Sequence, residues 1–195
     1  MIFPLKVPTL LTERLTLRAM GIKDAKEYFE LYSDEKVMRG YGIVPHKTLS
    51  ETQNLIQYLH GSFLKKEQIR WGIWTIKDSA FLGDVGFWRF VPFRFRAEAG
   101  AKLFPQHWKR GYMSEALGTI IQYGFDQMGL NSIEGNISPE NIASLKLVEK
   151  LGFKKEGHLK EHSFNAFSQS FEDTYLMTAL KNNWEVRSYE ISSDC

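Results

Sequence analysis

The chain has 195 residues, 43% hydrophobic and 14% aromatic, enough to bury a sizeable core within one domain. Its formal net charge is +2, from 25 basic and 23 acidic residues, which argues against direct nucleic-acid binding. No run of eighteen apolar residues predicts a membrane span, and the N-terminus lacks the apolar core of a signal peptide. Cys195 is the single cysteine, so no disulfide can form within the chain, and we expect a cytoplasmic protein.

In chain order, the first half predicts one strand, two helices and three further strands. Residues 10–20 alternate apolar and polar side chains, which indicates a strand. Residues 23–34 carry apolar side chains at helical spacing. A second helix is expected after Thr48, which could form a capping box with Glu51. Aromatic-rich or alternating stretches then predict three successive antiparallel strands at 69–76, 81–90 and 97–104.

The second half predicts a strand–helix–strand unit, another helix and a final strand pair. Apolar residues recur every three or four positions from Met113 to Met128, and Gly129 is placed to end that helix. Residues 97–137 should therefore form a parallel, right-handed crossover. A helix at 141–153 follows, and two strands around 154–164 and 171–180 complete a mixed α/β pattern.

A basic loop with one glycine, HWKRGYMS, precedes the helix that starts near Met113. The unpaired N–H groups and the dipole of a helix start favour an anion. Lys109 and Arg110 add two positive charges, and Gly111 lets the backbone approach a ligand closely. An anion site is one interpretation, and a basic loop capped by water or by Ser114 is the other. The loop has neither the ending of a Walker phosphate loop nor the further glycines of a dinucleotide fingerprint.

Several stretches together resemble the GNAT N-acetyltransferases, and most closely the ribosomal-protein-alanine (Rim-type) branch. They are HWKRGYMSEAL and NIASLKLVEKLGF, with the opening LLTERLTLRAM and the ending EDTYLMTAL. The resemblance implies the GNAT acyltransferase fold, a central and mostly antiparallel sheet with a splayed parallel strand pair, flanked by helices. It implies a single domain over residues 1–181, followed by a polar tail at 182–195.

The same resemblance assigns the basic loop to the cofactor. In this superfamily a Gln/Arg-x-x-Gly-x-Gly/Ala loop at a helix start holds the pyrophosphate of coenzyme A. Trp108 takes the first position, as is usual in this branch, and Gly111 the central one; Met113 at the last position departs from the superfamily pattern. The residues expected to bind acetyl-CoA are Lys109, Arg110, Gly111, Tyr112, Met113 and Ser114, together with Leu103, Phe104 and Asn141.

The resemblance also suggests the groups that polarise the carbonyl and remove the proton. Backbone N–H groups near Leu103 would be free on a splayed strand and could polarise the thioester carbonyl; an ordinary strand end is the alternative. Glu98 is the candidate general base, because the matching strand of many family members carries a glutamate. Strand alternation places Glu98 on one face with Arg96 and Lys102, so a solvent-facing ion pair is its alternative interpretation.

Two further candidates lie at the start of the helix at 141–153. Asn141 matches a cofactor-binding asparagine of the family and is also a favoured N-cap. Ser144 matches a serine proposed in this branch to donate a proton to the leaving thiolate; a small residue at a crowded helix start is the alternative. Val148 stands where many other members carry a tyrosine acid, so that route is closed.

The sequence therefore favours an acetyl-CoA-dependent N-acetyltransferase, a monomer or a homodimer, that uses no metal. Its acceptor would be a protein N-terminal α-amine or a small-molecule amine. A non-catalytic acyl-CoA-binding sensor or partner domain is the alternative. A remote one is a zinc hydrolase, because HLKEH at 158–162 matches a metallopeptidase motif. That motif needs a helix, and the surrounding residues favour a strand.

Overall fold

A computed structural model describes residues 1–185 and 190–191. The helices are α1 (Ala25–Ser33), α2 (Glu35–Arg39), α3 (Leu49–Leu64), α4 (Tyr112–Asp126) and α5 (Ile142–Lys150). The strands are β1 (Leu10–Leu11), β2 (Leu15–Arg18), β3 (Gln68–Thr75), β4 (Phe81–Val91), β5 (Arg96–Leu103), β6 (Ser132–Ile137), β7 (Lys154–Asn165), β8 (Ser170–Leu180) and β9 (Glu190–Ile191).

These strands form one sheet over the described residues, in the order β7-β8-β6-β5-β4-β3-β2-β1-β9. Neighbouring strands are antiparallel except for β5 and β6, which run parallel with Arg96 opposite Ser132 and Glu98 opposite Glu134. The predicted mixed α/β fold, mostly antiparallel with one parallel pair, is confirmed, as is the crossover through α4.

Two details differ from the sequence prediction. Residues 10–20 form the hairpin β1–β2 and not one strand. The Thr12 N–H donates to the Leu15 carbonyl, and the Leu15 N–H donates to the Thr12 hydroxyl, which closes a tight turn between the two strands. The second difference is α2, which was not predicted. Asp34 leaves helical geometry at the end of α1, and its side chain then accepts from the Val37 N–H to cap the new helix.

The sheet separates two apolar layers. α4 and α5 pack on one face, where the buried side of α4 meets strand residues such as Trp71 and Phe87. α1, α2 and α3 cover the other face around Tyr28 and Met38. Burying one large apolar side chain contributes about 1.5–3 kcal/mol, so these layers hold the sheet between its helices.

Part of the expected tail packs on the domain. The indole N–H of Trp184 donates to Gln122 of α4 at 2.8 Å, and its ring lies 5.7 Å from that of Phe125. β9 pairs with β1, Ile191 opposite Leu10. Cys195 and the rest of the tail lie outside the described residues.

Candidate active site

The basic loop meets α4 in a conformation that leaves the helix start open. Gly111 is the residue before the helix and has a left-handed φ of 82°, and Lys109 also has a positive φ of 61°. No side chain within the described residues caps this helix start, Ser114 included. The N–H groups of the first turn therefore remain available as donors, with the dipole and two exposed cationic side chains beside them.

Arg14, in the turn between β1 and β2, contacts this loop and the start of α4. Its Nη1 donates to the carbonyl of Arg110 at 3.1 Å, and its guanidinium carbon lies 4.6 Å from the centre of the Tyr112 ring. The guanidinium also pairs with Glu115 in the first turn of α4. Because the carbonyl of Arg110 shares a planar peptide with the N–H of Gly111, fixing the carbonyl toward Arg14 directs that N–H away from Arg14.

The parallel strands β5 and β6 separate beyond Glu98. Their pairing ends where Glu98 lies opposite Glu134, so residues 99–103 of β5 are not paired with β6. On this open edge the N–H of Ala101 donates to the hydroxyl of Tyr41 at 3.2 Å. Because N–H directions alternate along a strand, the N–H of Leu103 points to the same side as that of Ala101. The expected splay is therefore present, and Leu103 lies on it.

Backbone groups at the end of the open edge make contacts within the protein. The Leu103 carbonyl accepts the indole N–H of Trp108 at 2.8 Å, which ties the strand to the basic loop. The Phe104 N–H donates to the Leu82 carbonyl at 3.0 Å, and the Phe104 ring is buried under α1–α3. The Phe104 carbonyl in turn accepts the His107 N–H at 3.0 Å, so both polar backbone groups of Phe104 already have partners within the protein.

Glu98 is a buried carboxylate and not a solvent-facing one. It is 8% exposed, and its Oε2 lies 3.0 Å from Nη1 of the largely exposed Arg89. Its face of the sheet is the one covered by α1–α3, with Lys102 on the same side as alternation predicts. The carboxylate thus lies beside the splayed edge, with the Arg89 guanidinium as its ion-pair partner.

The start of α5 approaches the splay from the side of β6. Asn141 caps α5, its Oδ1 accepting the Ser144 N–H at 3.1 Å. Its Nδ2 is near the end of α2, since a Cβ built on Gly40 would lie 3.9 Å from it. Both expectations for Asn141 remain compatible, because the capping bond uses only Oδ1. Ser144 lies in the first turn of the same helix.

Sequence reasoning missed a buried polar cluster under the open edge. Asp84 is fully buried and accepts from Arg70 at 2.6 Å and from the hydroxyl of Tyr28. Burial raises the pKa of Asp84, but the charges of Arg70 and Lys102 and the hydrogen bonds from Tyr28 and Arg70 together outweigh it and hold that pKa below its ordinary value. A single aspartate within the apolar strand FLGDVGF was the available signal, because a buried charge needs a partner.

Lys102 is the unusual member of this cluster. Its Nζ lies 4.9 Å from the ring centre of Tyr32 and 4.2 Å from that of Tyr41. Burial lowers the pKa of Lys102 to about 7, partly offset by the charge of Asp84. A lysine that loses its proton near neutrality thus lies one residue from the Ala101 N–H.

The HLKEH segment forms part of strand β7 and not a helix. Nε2 of His158 pairs with Asp173 on β8 at 2.7 Å, and β7 is irregular between Leu159 and Ser163. Without a helix, the two histidines do not share the face that the metallopeptidase motif requires. Among the described residues, no three His, Cys, Asp or Glu side chains group as metal ligands. In the same part of the chain, no helix has the length and apolar character to cross a membrane.

Comparison with known proteins identifies relatives over most of the chain. Residues 14–154 match the family model described as acetyltransferase (GNAT) domain. The uncharacterized N-acetyltransferase p20 of Bacillus licheniformis is 35% identical over 90% of this chain and 98% of its own. At lower identity, 25%, the [ribosomal protein uS5]-alanine N-acetyltransferase of Escherichia coli aligns with 78% of this chain and 81% of its own. The predicted likeness to the Rim-type branch is thus confirmed.

Solved structures share the fold. A GNAT-family acetyltransferase from Bacillus anthracis has a TM-score of 0.79 and 26% identity, over 89% of this chain and 99% of its own. Spermidine N-acetyltransferase from Vibrio cholerae, in complex with CoA and spermine, has a TM-score of 0.77 at 22% identity, over 88% and 98%.

Proposed function

Because this chain belongs to the GNAT acetyltransferase family, we propose that it transfers the acetyl group of acetyl-CoA to an amine by direct attack within a ternary complex. The observation that carries the proposal is the uncapped start of α4 beside the open edge of β5. One element supplies donors and positive charge for a pyrophosphate, and the other supplies backbone donors where the strands part. The indole of Trp108 joins the two.

The cofactor would be held mainly by backbone groups. The amides of residues 109–114 face the pyrophosphate, and Lys109 and Arg110 add charge to the dipole of α4. Tyr112, Met113 and Ser114 line the first turn. Leu103 and Phe104 border the path between the strands, and Asn141 offers the amide nitrogen that its capping bond leaves unused.

The chemistry needs a neutral amine, a polarised carbonyl and a leaving thiolate. An amine nitrogen attacks the thioester carbon, the carbon–sulfur bond breaks, and the amine proton passes to Glu98 directly or through water. N–H groups on the open edge near Leu103 stabilise the charge that develops on the carbonyl oxygen. Ser144 gives a proton to the thiolate, although a thiol of pKa about 8.5 leaves adequately without an acid.

We propose that the protein acts in the cytoplasm and that an acceptor with a low amine pKa is the easier one to acetylate near neutral pH. A protein α-amine has a pKa of about 7.7–8.0, against about 10.4 for a lysine, so a larger fraction is neutral near pH 7. An N-terminal α-amine meets this condition, whereas a small-molecule alkylamine with a pKa near that of lysine depends more strongly on Glu98 to remove its proton. Relatives of both kinds exist, one named for ribosomal-protein alanine and one for spermidine.

The test is an acetyl-CoA-dependent screen of peptides and small amines. Thiol release measures the rate of the reaction, and the mass of the product identifies the acetylated amine. Stoichiometric thiol and N-acetylated product would support the proposal. Thiol release without any acetylated amine would instead indicate hydrolysis of acetyl-CoA, and would contradict it.

A further inference from the structure

A cleft of about 500 Å³ opens next to Arg89, the ion-pair partner of Glu98, on the face of the sheet that carries α1–α3. It lies between the end of α3, the start of β3 and an irregularity in β4. Its lining includes Tyr58 of α3, Lys66 and Glu67 between α3 and β3, and Trp88, Arg89 and Pro92 at and after the end of β4. Nothing assigned above to the cofactor lines this cleft.

The cleft connects to the site through two consecutive residues of β4. Trp88 is opposite Glu98 in the sheet, and its ring lies over the backbone of Gly100, where a Cβ would come within 2.2 Å of the indole. Gly100 immediately precedes Ala101 on the open edge. Arg89 binds the Glu98 carboxylate at 3.0 Å. An occupant lying on Trp88 therefore contacts two residues that adjoin Glu98.

The backbone of β4 is distorted at this point. Arg89 has a left-handed φ of 49°, and the register with β5 shifts between Trp88 and Val91. A non-glycine residue in this region costs free energy and persists where the surrounding structure requires it, often at functional sites. Here the bulge turns Arg89 toward Glu98.

Another side of this sheet face is closed. The tip of the β7–β8 hairpin contacts the segment after α2, with the Ala166 N–H donating to the Gly42 carbonyl at 2.9 Å. The Arg39 guanidinium also lies 5.2 Å from the centre of the Phe167 ring. The cleft at Trp88 lies away from these joined segments, and its wall residue Arg89 contacts Glu98 directly.

We propose that this cleft binds the body of the acceptor, and that it selects an amine carried by an aromatic or other apolar group over a polyamine. The inference rests on the proposed function. Trp88 and Tyr58 present aromatic surface. The guanidinium of Arg70 already lies 5.4 Å from the centre of the Trp88 ring, so an ammonium placed on that ring would meet a like charge. The cleft wall carries Lys66 and Arg89 against one carboxylate, Glu67, and Glu98 is already paired.

Such a body could belong to a free arylalkylamine or to a peptide with an aromatic first residue. The experiment compares phenethylamine, a short peptide that begins with phenylalanine, and spermidine as acceptors at fixed acetyl-CoA. We expect kcat/KM to be at least about tenfold higher for one or both aromatic acceptors than for spermidine, and the better of the two identifies the source.

Two variants test the cleft itself. Trp88→Ala should raise the KM for the aromatic acceptor about tenfold and leave the KM for acetyl-CoA unchanged. Tyr58→Ala, at a side chain that is 64% exposed, should act in the same direction and does not put folding at risk. The matched control is Phe93→Ala, an exposed aromatic side chain next to Pro92 that does not line the cleft and should change neither constant.

Preference for spermidine, or unchanged acceptor KM in folded Trp88→Ala and Tyr58→Ala, would overturn the cleft proposal while leaving amine acetylation standing. Failure to acetylate any of the three amines, or any in the wider screen, would overturn the proposed function and this inference with it.

Discussion

Arg14 and Glu115 are joined across the gap between the β1–β2 turn and the first turn of α4. Nη2 and Nε of Arg14 lie 2.6 and 2.8 Å from Oε2 of Glu115, and the Arg14 N–H donates to Oε1 at 3.0 Å. The pair neutralises a carboxylate that would otherwise repel an anion at this helix start. It also fixes the guanidinium against the Arg110 carbonyl, which sets the direction of the next peptide N–H.

Arg14→Ala should therefore weaken coenzyme A binding about tenfold, or about 1.4 kcal/mol, by freeing both the loop and the charge of Glu115. With saturating acetyl-CoA, kcat should change little, because Arg14 does not reach the reacting atoms. Calorimetry with coenzyme A checks the affinity. Arg94→Ala, in the turn between β4 and β5, removes a positive charge elsewhere and serves as control. Equal affinities for Arg14→Ala and wild type would contradict this role.

Gly111→Val should reduce affinity for coenzyme A by more than about tenfold. A branched side chain is strained at a φ of 82°, and its Cβ would lie 3.2 Å from Nη2 of Arg14. Gly129→Val is the matched control. Gly129 lies in the turn that follows α4 and has a φ of 69°, and a Cβ built on it would have no atom of the described residues within 4 Å apart from its chain neighbours. It carries similar backbone strain far from the loop. If both folded variants bind coenzyme A like wild type, the loop is not the pyrophosphate site.

Glu98→Gln should lower kcat by about 10²–10⁴ near neutral pH if Glu98 removes the amine proton. The KM for acetyl-CoA should hardly move. The loss should shrink as pH rises past the amine pKa, because the amine then deprotonates unaided. Glu134→Gln is the control, since Glu134 lies opposite Glu98 on β6 and is paired with Arg96. Superimposable pH–rate profiles of wild type and Glu98→Gln would reduce Glu98 to a structural ion-pair residue.

Periodicity predicted most of the fold because the apolar faces of α3, α4 and α5 and the alternation in β3–β5 each repeat over several turns or residues. The short elements were not predicted. α2 has only five residues and depends on the single cap of Asp34, and the β1–β2 hairpin depends on one threonine side chain. Patterns need length, whereas caps and turns act through single hydrogen bonds.

The candidate site shows the same difference between features with a local sequence signature and features that depend on distant contacts. The loop at Gly111 was predictable because helix starts and glycines have local signatures. Contacts between distant segments were not: Arg14 and Glu115 are 101 residues apart, and Tyr41 reaches Ala101 from a separate loop. The burial of Glu98 was missed for a related reason, since strand alternation gives a face but not the neighbouring side chains that cover it.

Lys102→Met should stabilise the protein most at low pH. Burial lowers the pKa of Lys102 from 10.5 to about 7. Between those values the unfolded chain binds the proton and the folded chain does not, so this residue makes stability rise with pH. Below about pH 7 the folded chain carries a buried charge, and methionine removes that cost.

We expect the variant to gain about 1–3 kcal/mol in the free energy of unfolding near pH 6, with a smaller gain near pH 9. Urea unfolding at the two pH values measures both, and Lys77→Met, at an exposed position, is the control. A loss of stability at the lower pH would mean that the charge of Lys102 is a net stabilising partner of Asp84.

Initial rates with acetyl-CoA and an accepted amine varied together test the central claim most directly. Direct attack in a ternary complex predicts double-reciprocal lines that intersect, and no acetyl group bound covalently to the protein after incubation with acetyl-CoA alone. Parallel lines, together with an acetylated protein that passes its acetyl group to the amine after acetyl-CoA is removed, would contradict the account.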